Sequence, residues 1–282
     1  MSAIVGHLPA DLGIDLHVVV PADNEHVLDQ YCSSLADLQA QLSTVRADKI
    51  GSLYIDPANP AGTIVGPLAD SGLGPFDSPS AYYRAHLDRL EKEVLAAAPD
   101  ETPAAREKTA FTFWLFRLLL SNSALESPQS GPFAMTHMDL VTYNTIVDET
   151  GTIVGVIDWD SAAFMPVELF ATQAILFLDN LLSNHDDAKQ KYAAYHRALV
   201  QQGERGQKVN LPGPRSLVEL HASTSVRLLG WLRYFLSHRD AFKHHHFQKG
   251  ICRYLLGVED EQIVIRSPAF REWLESRTQS ID

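Results

Sequence analysis

The sequence predicts a mostly helical α+β fold, with one β-hairpin set into the helical body of its second half. Three observations carry this expectation. Apolar residues recur at three- and four-residue spacing through Glu25–Val45, the signature of an amphipathic helix. Tyr143–Val147 and Thr152–Ile157 are rich in β-formers and flank Asp148-Glu149-Thr150-Gly151, a hairpin turn. From about Glu168 to the C-terminus the pattern is helical again.

Residues 1–24 are apolar and irregular; Leu16–Val20 reads as a strand that Pro21 ends. In the first helix Val27, Leu28, Tyr31, Leu35, Leu38, Leu42 and Val45 form the apolar face. Gly51–Ile55 and Thr63–Pro67 surround an Asp-Pro-Ala-Asn-Pro-Ala-Gly turn and read as a second hairpin. Residues 68–78 are a loop rich in Gly, Pro, Ser and Asp. Ser78-Pro79 opens a helix to about Ala98, with Ser at the cap and Pro in the first turn. Pro99 and Pro103 interrupt, and the next helix carries Phe111, Trp114, Leu115, Leu118 and Leu119. After a polar loop over 121–131 comes a short apolar run, Phe133–Thr136. The later helices are expected at 168–183, 186–202, 215–238, 240–256 and 267–278, with Gly203–Pro214 a loop.

Composition bounds the function. With 45% hydrophobic and 21% charged residues among 282, the chain is an ordinary globular protein. A net charge of −12 repels nucleic acid and anionic membranes, so neither is expected as a partner. No apolar stretch is long and uncharged enough for a membrane span. The N-terminus lacks the basic start of a secretory signal and meets Asp11 and Asp15 early. Cys32 and Cys252 give neither a disulfide framework nor a zinc site, and both fall in helical patterns as buried apolar residues. A cytoplasmic location is expected.

The chemistry concentrates in Thr136-His137-Met138-Asp139-Leu140-Val141-Thr142-Tyr143-Asn144 and in Gly155-Val156-Ile157-Asp158-Trp159-Asp160. Asp139 follows an extended segment in a tight loop, Asn144 stands at the mouth of the hairpin, and Asp158 ends the returning strand. A two-residue offset across the hairpin brings Asn144 and Asp158 together. Two carboxylates and an amide oxygen then converge, a hard-oxygen set suited to Mg²⁺ beside substrate phosphates. The remaining carboxylate is placed to accept a proton from a hydroxyl.

These two motifs resemble the aminoglycoside phosphotransferase family, whose kinase-like fold also serves choline and homoserine kinases. The family's catalytic loop reads His-Gly-Asp-x4-Asn and its metal motif Ile-Asp-Trp/Phe-Glu/Asp; the counterparts are His137-Met138-Asp139…Asn144 and Ile157-Asp158-Trp159-Asp160. The Lys49–Tyr54 run and Gly74-Pro75-Phe76 are similar to segments of the family's fungal branch. The resemblance spans about residues 25–256 and departs at Met138, where Gly is usual. It implies Asp139 as catalytic base, Asn144 and Asp158 as Mg²⁺ ligands on the ATP phosphates, and His137 as a brace for the loop. The implied reaction is ATP-dependent phosphoryl transfer to a small-molecule hydroxyl.

The N-terminal lobe of such a fold, with its phosphate-covering loop and strand lysine, is not found in the sequence. Upstream of Asp139 the lysines are Lys49, Lys92 and Lys108, none in a Val-Ala-x-Lys strand. The expectation is a C-lobe over 25–282 with a hinge-like segment over 1–24, no N-lobe, and impaired, weak ATP binding. The alternatives are a non-catalytic kinase-like binding or regulatory module, and a fragment with no independent role. Apolar residues of the N-terminal segment, Ile4, Val5, Leu8, Leu12 and Val18–Val20, are expected to fold back over the cleft, meet a second chain or stay exposed. His238 and His244–His246 read as a solvated face, Trp114, Trp231 and Trp273 as core, and Trp159 as packing beneath the site. Asp179, Asp186 and Asp187 read as helix-cap or surface residues, and Glu168, after Pro166, as a structural cap at the start of the next helix.

Overall fold

A computed structural model describes residues 6–15, 18–96, 102–122, 131–174, 185–205, 209, 211, 215–237 and 245–278. The chain divides into two compact units. The first comprises Met1–Tyr82 and Glu126–Gly230, and the second Tyr83–Leu125 and Trp231–Asp282.

The first unit holds a five-stranded antiparallel sheet in the order β1-β4-β7-β2-β3. These strands are β1 (Arg46–Ala47), β2 (Gly51–Asp56), β3 (Asn59–Gly66), β4 (Phe133–Thr136) and β7 (Ala163–Met165). A separate hairpin pairs β5 (Thr145–Val147) with β6 (Ile153–Val156). Both hairpins stand where their β-branched runs and turn residues place them. The strand β7 has no counterpart in the sequence reading, because three residues cannot display a period of two.

Helix α1 (Glu25–Leu42) lies along α5 (Asp186–Glu204). Val27, Leu28, Tyr31 and Leu35 of α1 and Ala194, Tyr195, Ala198 and Leu199 of α5 are buried in one cluster. Asp29 pairs with Arg197 at 2.7 Å on the flank of this seam. The short helices α4 (Val167–Ala171) and α6 (Leu217–Ala222) complete the cluster with Phe170, Leu217 and Leu220. Ser216 and Glu219 form a reciprocal capping box at the start of α6.

The N-terminal segment folds against this unit. His7 exchanges two backbone hydrogen bonds with Val147, at 2.8 and 2.9 Å. Ile14 and Val20 are buried, whereas Leu8, Val18 and Val19 are 44–50% exposed. Residues 18–20 are not a strand, contrary to the reading of Leu16–Val20. The Val20 peptide is held instead by one side chain: Gln190 accepts from its N–H at 2.8 Å and donates to its carbonyl at 2.9 Å.

Helix α2 (Pro79–Ala96) runs from the first unit into the second, where α3 (Pro103–Asn122), α8 (His245–Leu256), α9 (Glu261–Ile265) and α10 (Pro268–Thr278) lie; α7 (Thr224–Ser237) also crosses the division. Ring contacts build the second core: Phe235–Phe247 at 4.3 Å, Phe116–Phe247 at 4.9 Å and Phe111–Phe270 at 5.1 Å. Arg117 bonds Asp88 and Glu91 beside it. Trp114 and Trp273 contact Phe270, and Trp231 contacts Tyr234 and Phe235, but all three are only half-buried, at the margin of the core where the sequence reading put them inside it. The single helix expected over 215–238 is two, α6 and α7, broken at Ser223, whose ψ of 121° is extended. Asp179, His238 and His244 lie outside the described residues, as do the side chains of His245 and His246.

Candidate functional site

The sheet explains why two sequence-distant motifs share one place. Strands β4 and β7 are antiparallel, and Thr136 at the end of β4 is paired with Ala163 at the start of β7. The loop that begins at His137 and the loop that ends at Ala162 therefore leave the same end of the sheet. The β5–β6 hairpin lies between them in the chain, and its register continues past Thr145↔Val156 to a 3.0 Å bond from the Ile157 N–H to the Asn144 carbonyl. Asp158 follows one residue beyond that bond.

His137 is fully buried and ties the two loops together. Its Nε2 lies 2.8 Å from the Ile157 carbonyl. A carbonyl can only accept, so the ring proton sits on Nε2. The ring meets the edge of Trp159 at 4.6 Å between centroids. Burial lowers the imidazole pKa, against the Ile157 hydrogen bond and the charges of Asp139 and Asp158, which raise it. The ring is thus a neutral brace at physiological pH.

Met138 has φ +71°, a left-handed conformation that L side chains adopt at a cost of about 1–2 kcal/mol. Glycine meets that requirement without strain, which accounts for the Gly usual in the resembling motif. The Met138 side chain is buried, 3% exposed.

Asp139 is half-buried beyond this turn. Asn144 donates from Nδ2 to the Asp139 carboxylate at 3.0 Å and to the Asp139 carbonyl at 2.9 Å. Both partners are oxygens, so the amide orientation is fixed and Oδ1 faces the other way. Asp158 is exposed, with φ +63°. The structure thus joins Asp139 to Asn144 directly and seats Asp158 next to the backbone partner of Asn144. Among the described residues no lysine or arginine pairs with Asp139 or Asp158. Lys49 pairs with Asp77 at 3.4 Å with half its side chain exposed, the hairpin-flanking role.

One member of the site escaped the sequence reading. Gln173 is buried and its Oε1 accepts from the His137 backbone N–H at 3.2 Å, which anchors the start of the catalytic-type loop. Nothing in a stretch read as continuous helix marked it. Trp159 was expected beneath the site; its indole N–H does bond the Val156 carbonyl at 2.9 Å, yet 40% of the residue is exposed. Glu168 lies in the first turn of α4, where its place after Pro166 puts it, and is fully buried. Asp186 and Asp187 occupy the first turn of α5, paired with Lys189 and Lys191. Cys32 and Cys252 are free buried thiols; burial raises both pKa values, that of Cys252 to about 12.

Among the described residues no three His, Cys, Asp or Glu side chains group to hold an ion. A set of one amide oxygen and one exposed carboxylate, with phosphate oxygens completing the shell, is still the kind Mg²⁺ uses. Asn144 and Asp158 fit it.

The chain is similar to a type I macrolide 2'-phosphotransferase at 16% identity, over 80% of this chain and 58% of that one, with a TM-score of 0.38. It is also similar to the apoenzyme of a macrolide 2'-phosphotransferase from Brachybacterium faecium, at 18% identity over 82% of this chain and 62% of that one, TM-score 0.34. The chain therefore spans about three fifths of the length of these structures. No curated protein matches it. The sequence model of the phosphotransferase enzyme family matches residues 6–169, more than half of the chain and both site motifs, and the chain belongs to that family.

Proposed function

We propose that the protein transfers a phosphoryl group from ATP to the hydroxyl of a small molecule, with Asp139 as base. The observation that carries the reading is the Asn144 amide, hydrogen-bonded to the Asp139 carboxylate while its backbone takes the N–H of the residue before Asp158. Asp139 accepts the hydroxyl proton as the substrate oxygen bonds to phosphorus and the bond to the ADP oxygen breaks. Asn144 fixes the carboxylate's direction, and His137 holds the two loops in register. Asn144 Oδ1 and the Asp158 carboxylate would hold Mg²⁺, which supplies charge neutralisation at the phosphates.

The same proposal takes residues 25–282 as the C-lobe, 1–24 as a hinge-like segment, and the cytoplasm as the location. No helix among the described residues is long and apolar enough to cross a membrane. An oriented cationic contact to the transferring group is commonly worth about 10²–10³ in rate. No covering loop or strand lysine is found in the 282 residues, so the chain alone binds ATP weakly and turns over slowly. Self-association, or a partner chain over the cleft, belongs to the same reading.

The second reading is a non-catalytic kinase-like binding module, favoured by the lack, among the described residues, of a lysine or arginine paired with Asp139 or Asp158. Isothermal titration with Mg·ATP separates the impaired from the intact site. The expected dissociation constant is above about 1 mM, near −4 kcal/mol. Micromolar binding that Asp158→Ala abolishes contradicts the impairment. Phosphorylation of a hydroxyl substrate that is lost in Asp139→Asn excludes the non-catalytic reading.

A further inference from the structure

A ring of hydrogen bonds closes around the Asp139 carboxylate. His137 Nε2 donates to the Ile157 carbonyl at 2.8 Å and the Ile157 N–H to the Asn144 carbonyl at 3.0 Å. Asn144 Nδ2 donates to the Asp139 carboxylate at 3.0 Å and to its carbonyl at 2.9 Å. The chain completes the ring from Asp139 back to His137 through Met138. Met138 and Asp158 are the non-glycine residues with positive φ among those described, at +71° and +63°, and each directly follows a ring member. Aspartate enters the left-handed region more readily than most residues, whereas methionine has no short polar side chain to offset the cost.

Strain of this kind persists only where the surroundings over-determine the backbone. Gln173 supplies such a constraint next to Met138. It follows α4, is 3% exposed, and accepts the His137 N–H at 3.2 Å through Oε1. Its base is fixed as well: Phe170 of α4 is fully buried, and its carbonyl accepts Gln39 Nε2 of α1 at 3.0 Å. Gln173 thus ties the ring to the helical body at the residue before the strained turn.

We propose that Gln173 is a positioning residue for Asp139, and that Met138 makes it necessary. Once the His137 N–H is released, Met138 gains by returning to negative φ, a bias of about 5–30-fold against the turn. That rotation swings the Asp139 carboxylate away from Asn144. A glycine at the same position gains nothing by returning, because both hands of backbone are nearly equal for it. As a positioning role this rests on the reading of Asp139 as base.

NMR of the full chain tests the dependence, with Gln173→Met, which keeps the length of the side chain and removes the acceptor. The Asn144 side-chain amide signals, recorded without ligand, report the bond to the Asp139 carboxylate. They should leave their wild-type position in Gln173→Met and return most of the way when Met138→Gly is added. Denaturant unfolding should move the other way: the double variant is less stable than Gln173→Met, since the buried Met138 side chain is lost too. A role in stability alone would move both readouts together. The Mn·ATP concentration that half-broadens the Asn144 signals should rise at least fivefold in Gln173→Met and recover in the double variant. If wild-type signals ignore Mn·ATP, the phosphotransfer reading fails, and the ligand-free Asn144 signals still decide the role of Gln173. Gln173→Asn, whose amide stops one carbon short, takes the place of Gln173→Met if that variant does not fold. Asn144 signals that stay put without the Gln173 acceptor, or that are displaced equally with Met and with Gly at position 138, overturn the proposal.

Discussion

Met138 sets two costs against each other at a single residue. Its left-handed backbone stores about 1–2 kcal/mol, whereas emptying a buried Met side chain costs about 2–5 kcal/mol. Burial wins, so both Met138→Gly and Met138→Ala destabilise. Only Gly relieves the backbone, and denaturant unfolding should therefore rank Met above Gly above Ala, with Gly ahead of Ala by about 1 kcal/mol. Ala at or above Gly would remove the strain argument. The buried histidines give a pH dependence with a definite sign. His137 and His221 both have folded pKa values below the unfolded value near 6.5, that of His221 about 3. The unfolded chain then binds more protons once the pH drops below about 6.5. Their stabilisation is complete above that pH and is lost on acidification, by up to about 1.4 kcal/mol per pH unit for each ring. Urea titrations from pH 7 to pH 4 should show the loss, and His221→Phe should flatten it; a wild-type stability flat over that range contradicts the burial account. At this scale the sequence displayed His137, Asp139, Asn144 and Asp158, because their spacing lies within two short runs. Gln173 was hidden, since its bond to His137 joins residues 36 apart.

Among the elements, those with a long period were legible and those without one were not. Helix α1, the β2–β3 and β5–β6 hairpins and the Ser78-Pro79 helix start all stand close to where periodicity and turn chemistry put them. Strand β7 and helix α9 are only three and five residues long. The break at Ser223 has no Gly or Pro to announce it. The N-terminal segment was half legible: Ile4 and Val5 lie outside the described residues, and the described part is held by a bridge to β5 and a Gln190 clamp rather than as a strand. Burial takes Ile14 and Val20 and leaves Val18 and Val19 about half exposed. Adjacent exposed valines on a folded segment favour association. Light scattering at micromolar concentration should show self-association that a Val18→Ser, Val19→Ser pair reduces. A monomeric wild-type chain would mean that these residues need no cover.

For the whole molecule, charge and site point in different directions. A chain of net charge −12 repels nucleotide anions, so a cation must bridge any phosphate to Asp158. Sheet topology supplies the convergence, since β4 and β7 release both motif loops at one end. The sequence could display the motifs but not that end, which depends on β7. The central claim is that Asn144 and Asp158 hold a divalent ion bearing ATP. Paramagnetic NMR tests it most directly, because it reads binding at millimolar concentrations. Mn·ATP added to the full chain should broaden the Asn144 side-chain amide and the Trp159 indole N–H ahead of other signals. The broadening should vanish in Asp158→Ala. Unbroadened Asn144 and Trp159 signals at millimolar Mn·ATP, or broadening that survives the substitution, would contradict the account.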